Sequence, residues 1–209
     1  FDVTFHVFEH GREVDTVQSY FGMRKVSIQN GQFQLNNRPY YQKLVLDQGY
    51  WPESLLTAPS DEAFIRDIEL TKAMGFNGVR KHQKVEDPRY LYHADRMGLL
   101  VWGEIGAAYL YSEQYADRIY REWLDVLRRD YNHPCIVVWT PLNESWGVQE
   151  IETDPRQQAH SEAMVAITKS MDTTRPVVDN DGWEHTNGDL LTIHDYSPSG
   201  EMLRAHLGS

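Results

Sequence analysis

The chain has 209 residues, 41% of them hydrophobic and 12% aromatic, a length that fits one sizeable domain or one domain with part of another. Its formal net charge is −11, with no polybasic stretch and no basic helix face, which argues against nucleic acid and membrane surfaces as partners. No apolar run approaches the roughly eighteen residues that a membrane-spanning helix needs, and a single cysteine permits no internal disulfide.

Antiparallel β-structure is predicted at the start of the chain. Residues 3–7 alternate between apolar and polar side chains, the period-two pattern of a half-buried strand. Further strands are predicted over 14–20 and 23–28, and Asn30–Gly31 is a strong hairpin signal between two apolar segments. We therefore predict that residues 1–28 are the last strands of a β-sandwich and that residues 29–209 form a second domain.

Strands and helices alternate from Pro39 onward. Strands are predicted over 40–46, 77–81, 99–102, 136–139, 175–179 and 190–194, and helices over 60–75, 87–98, 113–131 and 154–171, with one more beginning near 201. Strands separated by single helices imply parallel neighbours with right-handed crossovers. No Gly-rich phosphate loop follows a strand, so an open doubly wound sheet is the weaker alternative. The prediction is an α/β fold: about six strands of an incomplete eight-stranded (β/α) TIM barrel, preceded by a few antiparallel strands.

Residues 136–147 carry the most informative pattern in the chain. The apolar, β-branched run 136–139 is typical of a strand buried on both faces, and Asn143, Glu144 and Trp146 follow it. A carboxylate at the carboxyl end of such a strand lies where α/β barrels carry out their chemistry. We expect nearby rings to desolvate Glu144, raise its pKa and make it a proton donor near neutral pH. A capping glutamate in a surface loop is the alternative interpretation.

Polar and aromatic side chains also lie at or just after the carboxyl ends of the other predicted strands. They are Asp47, Tyr50, Trp51, Arg80, His82, Glu104, Asp179, Asp181, Trp183, His194, Asp195 and Tyr196. In a barrel these loops converge on one cleft. Carboxylates and amides bind sugar hydroxyls, and rings pack on sugar C–H faces, so this set suits a neutral polyhydroxylated ligand. For any one of these residues alone, a turn, a cap or a structural ion pair is an equally ordinary interpretation.

Three segments of the predicted barrel, 75–80, 98–104 and 138–145, resemble the barrel domain of glycoside hydrolase family 2. That family contains β-galactosidases, β-glucuronidases and β-mannosidases. Residues 21–24 and 36–39 resemble its junction between an immunoglobulin-like sandwich and the first barrel strand. The resemblance runs in order through nearly the whole chain, and the Asn143–Glu144 pair is its most specific element.

The resemblance implies a retaining β-glycosidase in the full-length protein, with a β-glycoside as substrate and Glu144 as general acid/base. It implies that Asn143 binds the sugar 2-hydroxyl, that Arg80 supports the nucleophilic carboxylate and that Tyr196 lies beside that carboxylate. Other candidate substrate-binding residues at the same strand ends are His82, Glu104, Trp146 and His194. In a retaining mechanism the two carboxyl groups stand about 5–5.5 Å apart.

The chain departs from the family pattern at the nucleophile. The family places that glutamate at the end of the seventh barrel strand, whereas this chain ends soon after the predicted sixth. Glu201 is predicted to begin a helix instead, and Glu104 is the other, weaker candidate. Because the chain also begins at Phe1 without a signal peptide, we expect a fragment that is inactive alone and self-associates through open strands. Neither the compartment nor the sugar is predicted.

Two alternatives of other classes remain at this point. The first is a barrel that binds carbohydrate without catalysis. The second is a metal-dependent hydrolase built on His82, Glu104, His194 and Asp195, although these lack the His-x-His pairing expected of closely placed ligands. The sequence contains no other metal signature and implies no cofactor.

Overall fold

Two small antiparallel sheets begin the computed structural model, which describes residues 1–208. Strands β1 (Asp2–Glu9) and β2 (Arg12–Tyr20) form a hairpin, and β3 (Val26–Gln29), β4 (Gln32–Leu35) and β5 (Arg38–Pro39) form a three-stranded sheet. The predicted Asn30–Gly31 turn is confirmed, with φ of 52° and 72°, the left-handed conformation that a two-residue hairpin loop requires.

Four parallel strands and five helices form the rest of the described chain. The strands are β6 (Leu44–Asp47), β7 (Gly78–Lys81), β8 (Leu100–Glu104) and β9 (Ile136–Thr140), in that spatial order. The helices are α1 (Asp61–Ala73), α2 (Pro88–Met97), α3 (Glu113–Asp130), α4 (Pro155–Met171) and α5 (Gly200–Leu207). The predicted α/β class, an incomplete TIM barrel after antiparallel strands, is confirmed. Within residues 1–208, no helix has the length and apolar character needed to cross a membrane.

The predicted fifth strand forms only in part, and the predicted sixth strand does not form. Segment 176–181 pairs with β9 and with the residues that follow it through isolated parallel bridges, Trp139 with Val177 and Asn143 with Asp181. The loop that follows forms hydrogen bonds with backbone groups that would otherwise pair with a neighbouring strand. Val177 N donates to the Asp189 carboxylate at 2.9 Å, and Asp189 N donates to Val177 O at 2.7 Å. The sheet therefore ends at this segment among the described residues.

The first barrel strand is also shorter than the predicted range 40–46. The side-chain amide of Asn77 donates to Tyr41 O and accepts from Lys43 N, both at 2.8 Å. These backbone groups before β6 therefore bond to a side chain and not to a neighbouring strand. Strand pairing begins only at Leu44, opposite Gly78. The helix ends follow the predicted signals: Ser60, Asp87 and Asp154 cap α1, α2 and α4.

Two apolar layers flank the parallel sheet. The larger lies between the sheet and its helices, where the rings of Trp123 and Trp139 pack edge to face at 5.6 Å and their indole N–H groups donate to Thr168 and Asp172. The smaller lies on the inner face and consists of Val26, Leu100, Val137, Val138 and Val178. Val26 of β3 packs into this inner layer, while the polar side chains of Arg80 and Glu104 lie near the carboxyl ends of β7 and β8.

Residues 20–24, at the end of the hairpin, are fastened to α2 and to the beginning of β9. Tyr20 OH donates to Asp95 of α2 at 2.6 Å, and the Arg24 guanidinium donates to Ile136 O at 2.8 Å. Arg175 donates to the same carbonyl at 2.8 Å. The strand that leads to Glu144 is therefore held at its start by two arginines.

Candidate active site

Arg80 lies at the centre of a buried polar cluster at the carboxyl end of the sheet. Its guanidinium donates to both oxygens of Glu104, at 2.8 and 3.2 Å, and to Asn143 Oδ1 at 2.5 Å. It also forms an ion pair with Asp181 and lies 3.1 Å from His194 Nε2. Alternation along β7 explains the geometry, because Arg80 points to the inner face while its neighbour Lys81 packs over the Tyr90 ring of α2.

Glu144 lies at the edge of this cluster and is partly accessible to solvent. Its Oε1 accepts a hydrogen bond from Tyr196 OH and lies 2.6 Å from His194 Nδ1. The other ring nitrogen of His194 lies 2.8 Å from Asp181 Oδ2. The imidazole of His194 thus joins the Glu144 carboxylate to the Arg80 cluster.

A strained turn carries Glu144. Glu144 and Ser145 both adopt left-handed backbone conformations, with φ of 48° and 57°, although neither is glycine. Each such residue costs about 1–2 kcal/mol, so surrounding contacts must hold the turn. Glu144 N donates to Asp181 O at 2.9 Å, and Ser145 N donates to the Asn180 side chain at 2.9 Å. Gly147 then follows with φ of 77°, so close to Tyr115 that a Cβ would lie 2.8 Å from the ring.

The pKa of Glu144 is lower than that of an ordinary glutamate. Burial raises this pKa, but the hydrogen bonds from Tyr196 and His194, together with the charges of nearby imidazoles, lower it by more. The predicted rise in the Glu144 pKa is therefore wrong for the side chains described, because donors from the 190s loop surround the carboxylate. At neutral pH, Glu144 in this surrounding is ionised.

Glu104 is more deeply buried than Glu144. Its side chain is fully closed off from solvent, and its Oε1 also accepts from Gln83 N at 2.7 Å. Burial raises the pKa of Glu104 to about 7, in spite of the opposing effect of Arg80. Glu104 contacts the guanidinium directly and orients it for the cleft above.

Aromatic rings border the accessible side of the cluster. Trp183 packs against His194 and Tyr196, with ring centroids 5.9 and 6.2 Å apart. Trp146 packs edge to face on Tyr109 at 5.3 Å and is itself 39% exposed. These faces are available to a ligand with C–H surfaces.

His82 lies at another side of the same cleft. Its Nδ1 is 3.0 Å from the Gln48 amide, and burial and the positive charge of Arg80 lower its pKa. The positive charge of the protonated His82 ring nonetheless contributes to the lowered pKa of Glu144. The eight side chains named from the sequence as catalytic or substrate-binding candidates thus lie around the carboxyl end of the sheet: Arg80, His82, Glu104, Asn143, Glu144, Trp146, His194 and Tyr196.

Two further side chains complete the cluster, and sequence reasoning gave them too little weight. Asp181 pairs with Arg80 and His194, and Asn180 holds the Glu144 turn. The available signal was their position after the buried residues Val177 and Val178, where Asp181 was noted and Asn180 was not. In residues 1–208, no three His, Cys, Asp or Glu side chains converge as metal ligands, and Asp195 instead accepts from Ser197 N.

Comparison with known proteins places the chain in a family. The model for "Glycosyl hydrolases family 2, TIM barrel domain" matches residues 26–199. A beta-galactosidase of Vibrio vulnificus is 31% identical over 204 residues, covering 93% of this chain and 19% of that protein. A beta-glucuronidase of Streptococcus agalactiae is 28% identical over 158 residues, covering 66% of this chain and 26% of that protein.

Solved structures share the same fold. The beta-glucuronidase of Parabacteroides merdae superposes with a TM-score of 0.74 at 20% identity, over 84% of this chain and 22% of that one. At this identity the likeness shows the fold alone. The chain spans about a fifth of the length of the curated beta-galactosidases that it matches.

Proposed function

The chain belongs to glycosyl hydrolase family 2, and from that premise we propose that it carries the acid/base half of a retaining β-glycosidase active site. One observation carries the proposal: the partly accessible carboxylate of Glu144 is held at a strand end beside the Arg80–Asp181–His194 cluster. We propose that the second carboxylate, the nucleophile, is supplied by a part of the full-length protein outside these residues. The relatives named beta-galactosidase and beta-glucuronidase support a β-glycoside as its substrate.

Asn143 is suited to bind the sugar beside the reacting carbon. Its Oδ1 accepts from Arg80, which fixes the orientation of the amide. Its Nδ2 is buried and has no hydrogen-bond partner among the described residues. A buried donor without a partner is unfavourable, so a ligand hydroxyl that accepts from it gains a well-oriented hydrogen bond. In our proposal that hydroxyl is the 2-hydroxyl of the sugar.

The lowered pKa of Glu144 is compatible with proton donation only once a second carboxylate faces it. A like charge a few ångströms away disfavours ionisation and raises the pKa of the group beside it. Arg80 provides the positive charge that keeps the nucleophile ionised, and Glu104 orients that guanidinium. We propose that Tyr196 also serves the nucleophile, by moving its hydroxyl from Glu144 to the incoming carboxylate.

The reaction then proceeds in two steps. The nucleophile attacks the anomeric carbon, the glycosidic C–O bond breaks, and Glu144 gives its proton to the leaving oxygen. Glu144, now a carboxylate, accepts a proton from water, whose oxygen attacks the anomeric carbon and releases the nucleophile. We propose that Trp146 and His82 contact the substrate while His194 keeps Glu144 in place between the steps.

The stereochemistry of the first product tests this mechanism. We expect the full-length protein to release its sugar from an aryl β-glycoside as the β-anomer, because two inversions at the anomeric carbon give net retention. Proton NMR of the anomeric signal within the first minutes, before mutarotation, measures it. Initial release of the α-anomer contradicts a retaining mechanism, and binding without any hydrolysis points to a non-catalytic carbohydrate-binding barrel.

We further propose that residues 1–28 are the end of an immunoglobulin-like sandwich and that the 209-residue chain self-associates in isolation. Strand β6 has a parallel partner on one side only, and Leu46 on it is 54% exposed. An open, apolar strand edge pairs readily with another chain. Sedimentation velocity at two concentrations measures this: we expect species larger than the monomer that grow with concentration, and a clean monomer at both contradicts the proposal.

A further inference from the structure

We propose that Asn180 is a positioning residue for Glu144, acting through the strained Glu144–Ser145 turn rather than on the substrate. The proposal rests on the proposed role of Glu144 as acid/base. Asn180 is completely buried, so its side chain presents no surface to a ligand. All of its hydrogen bonds run to the turn or to the loop behind it.

Three hydrogen bonds from one amide connect the two segments. Asn180 Oδ1 accepts from Ser145 N at 2.9 Å, while its Nδ2 donates to Ser145 Oγ at 2.9 Å and to Glu184 O at 2.7 Å. Ser145 Oγ in turn donates to the Glu184 carboxylate at 2.6 Å. Every polar atom of the Asn180 side chain is thus used on the residue next to Glu144 or on the loop that supports it.

The turn depends on such contacts because its backbone conformation is unfavourable by itself. Two successive residues with a Cβ adopt positive φ, a conformation that persists only where the surroundings impose it. The backbone bond from Glu144 N to Asp181 O fixes the first residue, and the Asn180 side chain fixes the second. Without the amide, the carboxylate of Glu144 has one less constraint on its direction toward the leaving oxygen.

Asparagine supplies one acceptor and two donors on a short side chain, and all three are used here. Aspartate keeps the acceptor for Ser145 N but loses the N–H groups that bind Ser145 Oγ and Glu184 O. Aspartate would also place a second negative charge behind Glu144, which favours the protonated form of Glu144 and raises its pKa. Alanine removes all three hydrogen bonds and adds no charge. The two substitutions therefore separate the effect of geometry from the effect of charge.

The test uses the full-length protein, two substrates and a double-mutant cycle. The substrates are an alkyl β-glycoside, which needs a proton on its leaving oxygen, and a dinitrophenyl β-glycoside, which does not. We expect Asn180→Ala to lower kcat/KM on the alkyl glycoside by about 10²-fold and on the dinitrophenyl glycoside by much less, the signature of impaired acid catalysis. In a Glu144→Gln background, Asn180→Ala should cost little more, since both changes remove the same function.

A matched variant controls for stability. Asn77→Ala also removes an amide that bridges two backbone groups, but it does so before β7, at the opposite end of the sheet. It should lower Tm comparably and leave the ratio of the two substrates unchanged. Asn180→Asp should move the basic limb of the pH profile on the alkyl glycoside to higher pH.

Each outcome supports or overturns the proposal. Equal loss on both substrates, or a loss in the Glu144→Gln background as large as in the wild type, assigns Asn180 to folding and overturns the positioning role. If Glu144→Gln itself leaves the two substrates equally affected, the proposed acid/base function fails, independently of Asn180. Asn180→Ala, Glu144→Gln and the double variant together therefore distinguish the two failures.

Discussion

Replacing Glu144 with glutamine in the full-length protein is expected to slow hydrolysis of alkyl β-glycosides by about 10²–10⁴-fold. Glutamine keeps the size and the acceptor oxygen of the side chain, and it can still receive the hydrogen bond from Tyr196. Its amide is not acidic enough to protonate the leaving oxygen. An activated aryl glycoside leaves without that proton, so its first step should be far less affected.

The value of kcat/KM on each substrate type, which reports the first step, measures the difference. The exposed residue Glu162 of α4 provides a control, because Glu162→Gln makes the same chemical change on the outer surface of a helix. It should behave as the wild type on both substrates. Loss of the same size on both substrates in Glu144→Gln would instead assign this carboxylate to binding or folding.

Removing the charge of Arg80 is expected to destabilise the protein by about 3–5 kcal/mol, because two buried carboxylates then lack their cation. Arg80→Met keeps much of the volume and leaves Glu104 and Asp181 facing each other across the former guanidinium. Activity should fall with stability, since the cluster that holds His194 and the proposed nucleophile loses its centre.

The loss of stability in Arg80→Met should depend on pH. Burial already raises the pKa of Glu104 to about 7 with Arg80 present, and removing the cation raises it further. A carboxyl whose folded pKa exceeds its unfolded pKa binds more protons in the folded state, so folding is favoured at low pH and weakened as pH rises through the folded value. The deficit relative to wild type should therefore grow from pH 5 to pH 8.

Thermal unfolding at these two pH values measures the effect. Arg121→Met removes an exposed ion pair with Asp117 on α3 and provides the control, with an expected change below about 1 kcal/mol at either pH. A deficit in Arg80→Met that stays constant between pH 5 and 8 would contradict the argument about Glu104. No deficit at all would contradict the central role of the guanidinium.

The fold was largely predictable because its signals are local. Asn30–Gly31 sets a hairpin, Ser60 and Asp154 cap helices, and an apolar β-branched run defines β9. The predicted fifth strand forms only in part, for a non-local reason. Asp189, in the following loop, binds the backbone of Val177, and no sequence pattern near 175–179 predicts that contact.

The site was predictable where strand ends alone decide it. Arg80 lies near the carboxyl end of β7, Glu144 follows β9, and both contact His194, as convergence of strand ends in a barrel indicates. The direction of the shift in the pKa of Glu144 was not predictable, because Tyr196 and His194 contact the carboxylate from about fifty residues away along the chain. Asn180 was missed for a related reason: its contribution is to the backbone of another segment, which side-chain chemistry alone does not reveal.

The fixation of β9 at its start has an evolutionary consequence. Arg24 and Arg175 both donate to the carbonyl of Ile136, and the turn at Glu144 is bound to segment 180–181. The backbone that carries Glu144 is therefore fixed along the axis of β9 at both ends of the strand. If Glu144 is the acid/base as proposed, we expect loops at the cleft rim to vary between relatives, and with them the sugar that is bound, while the register of this carboxylate on β9 stays the same.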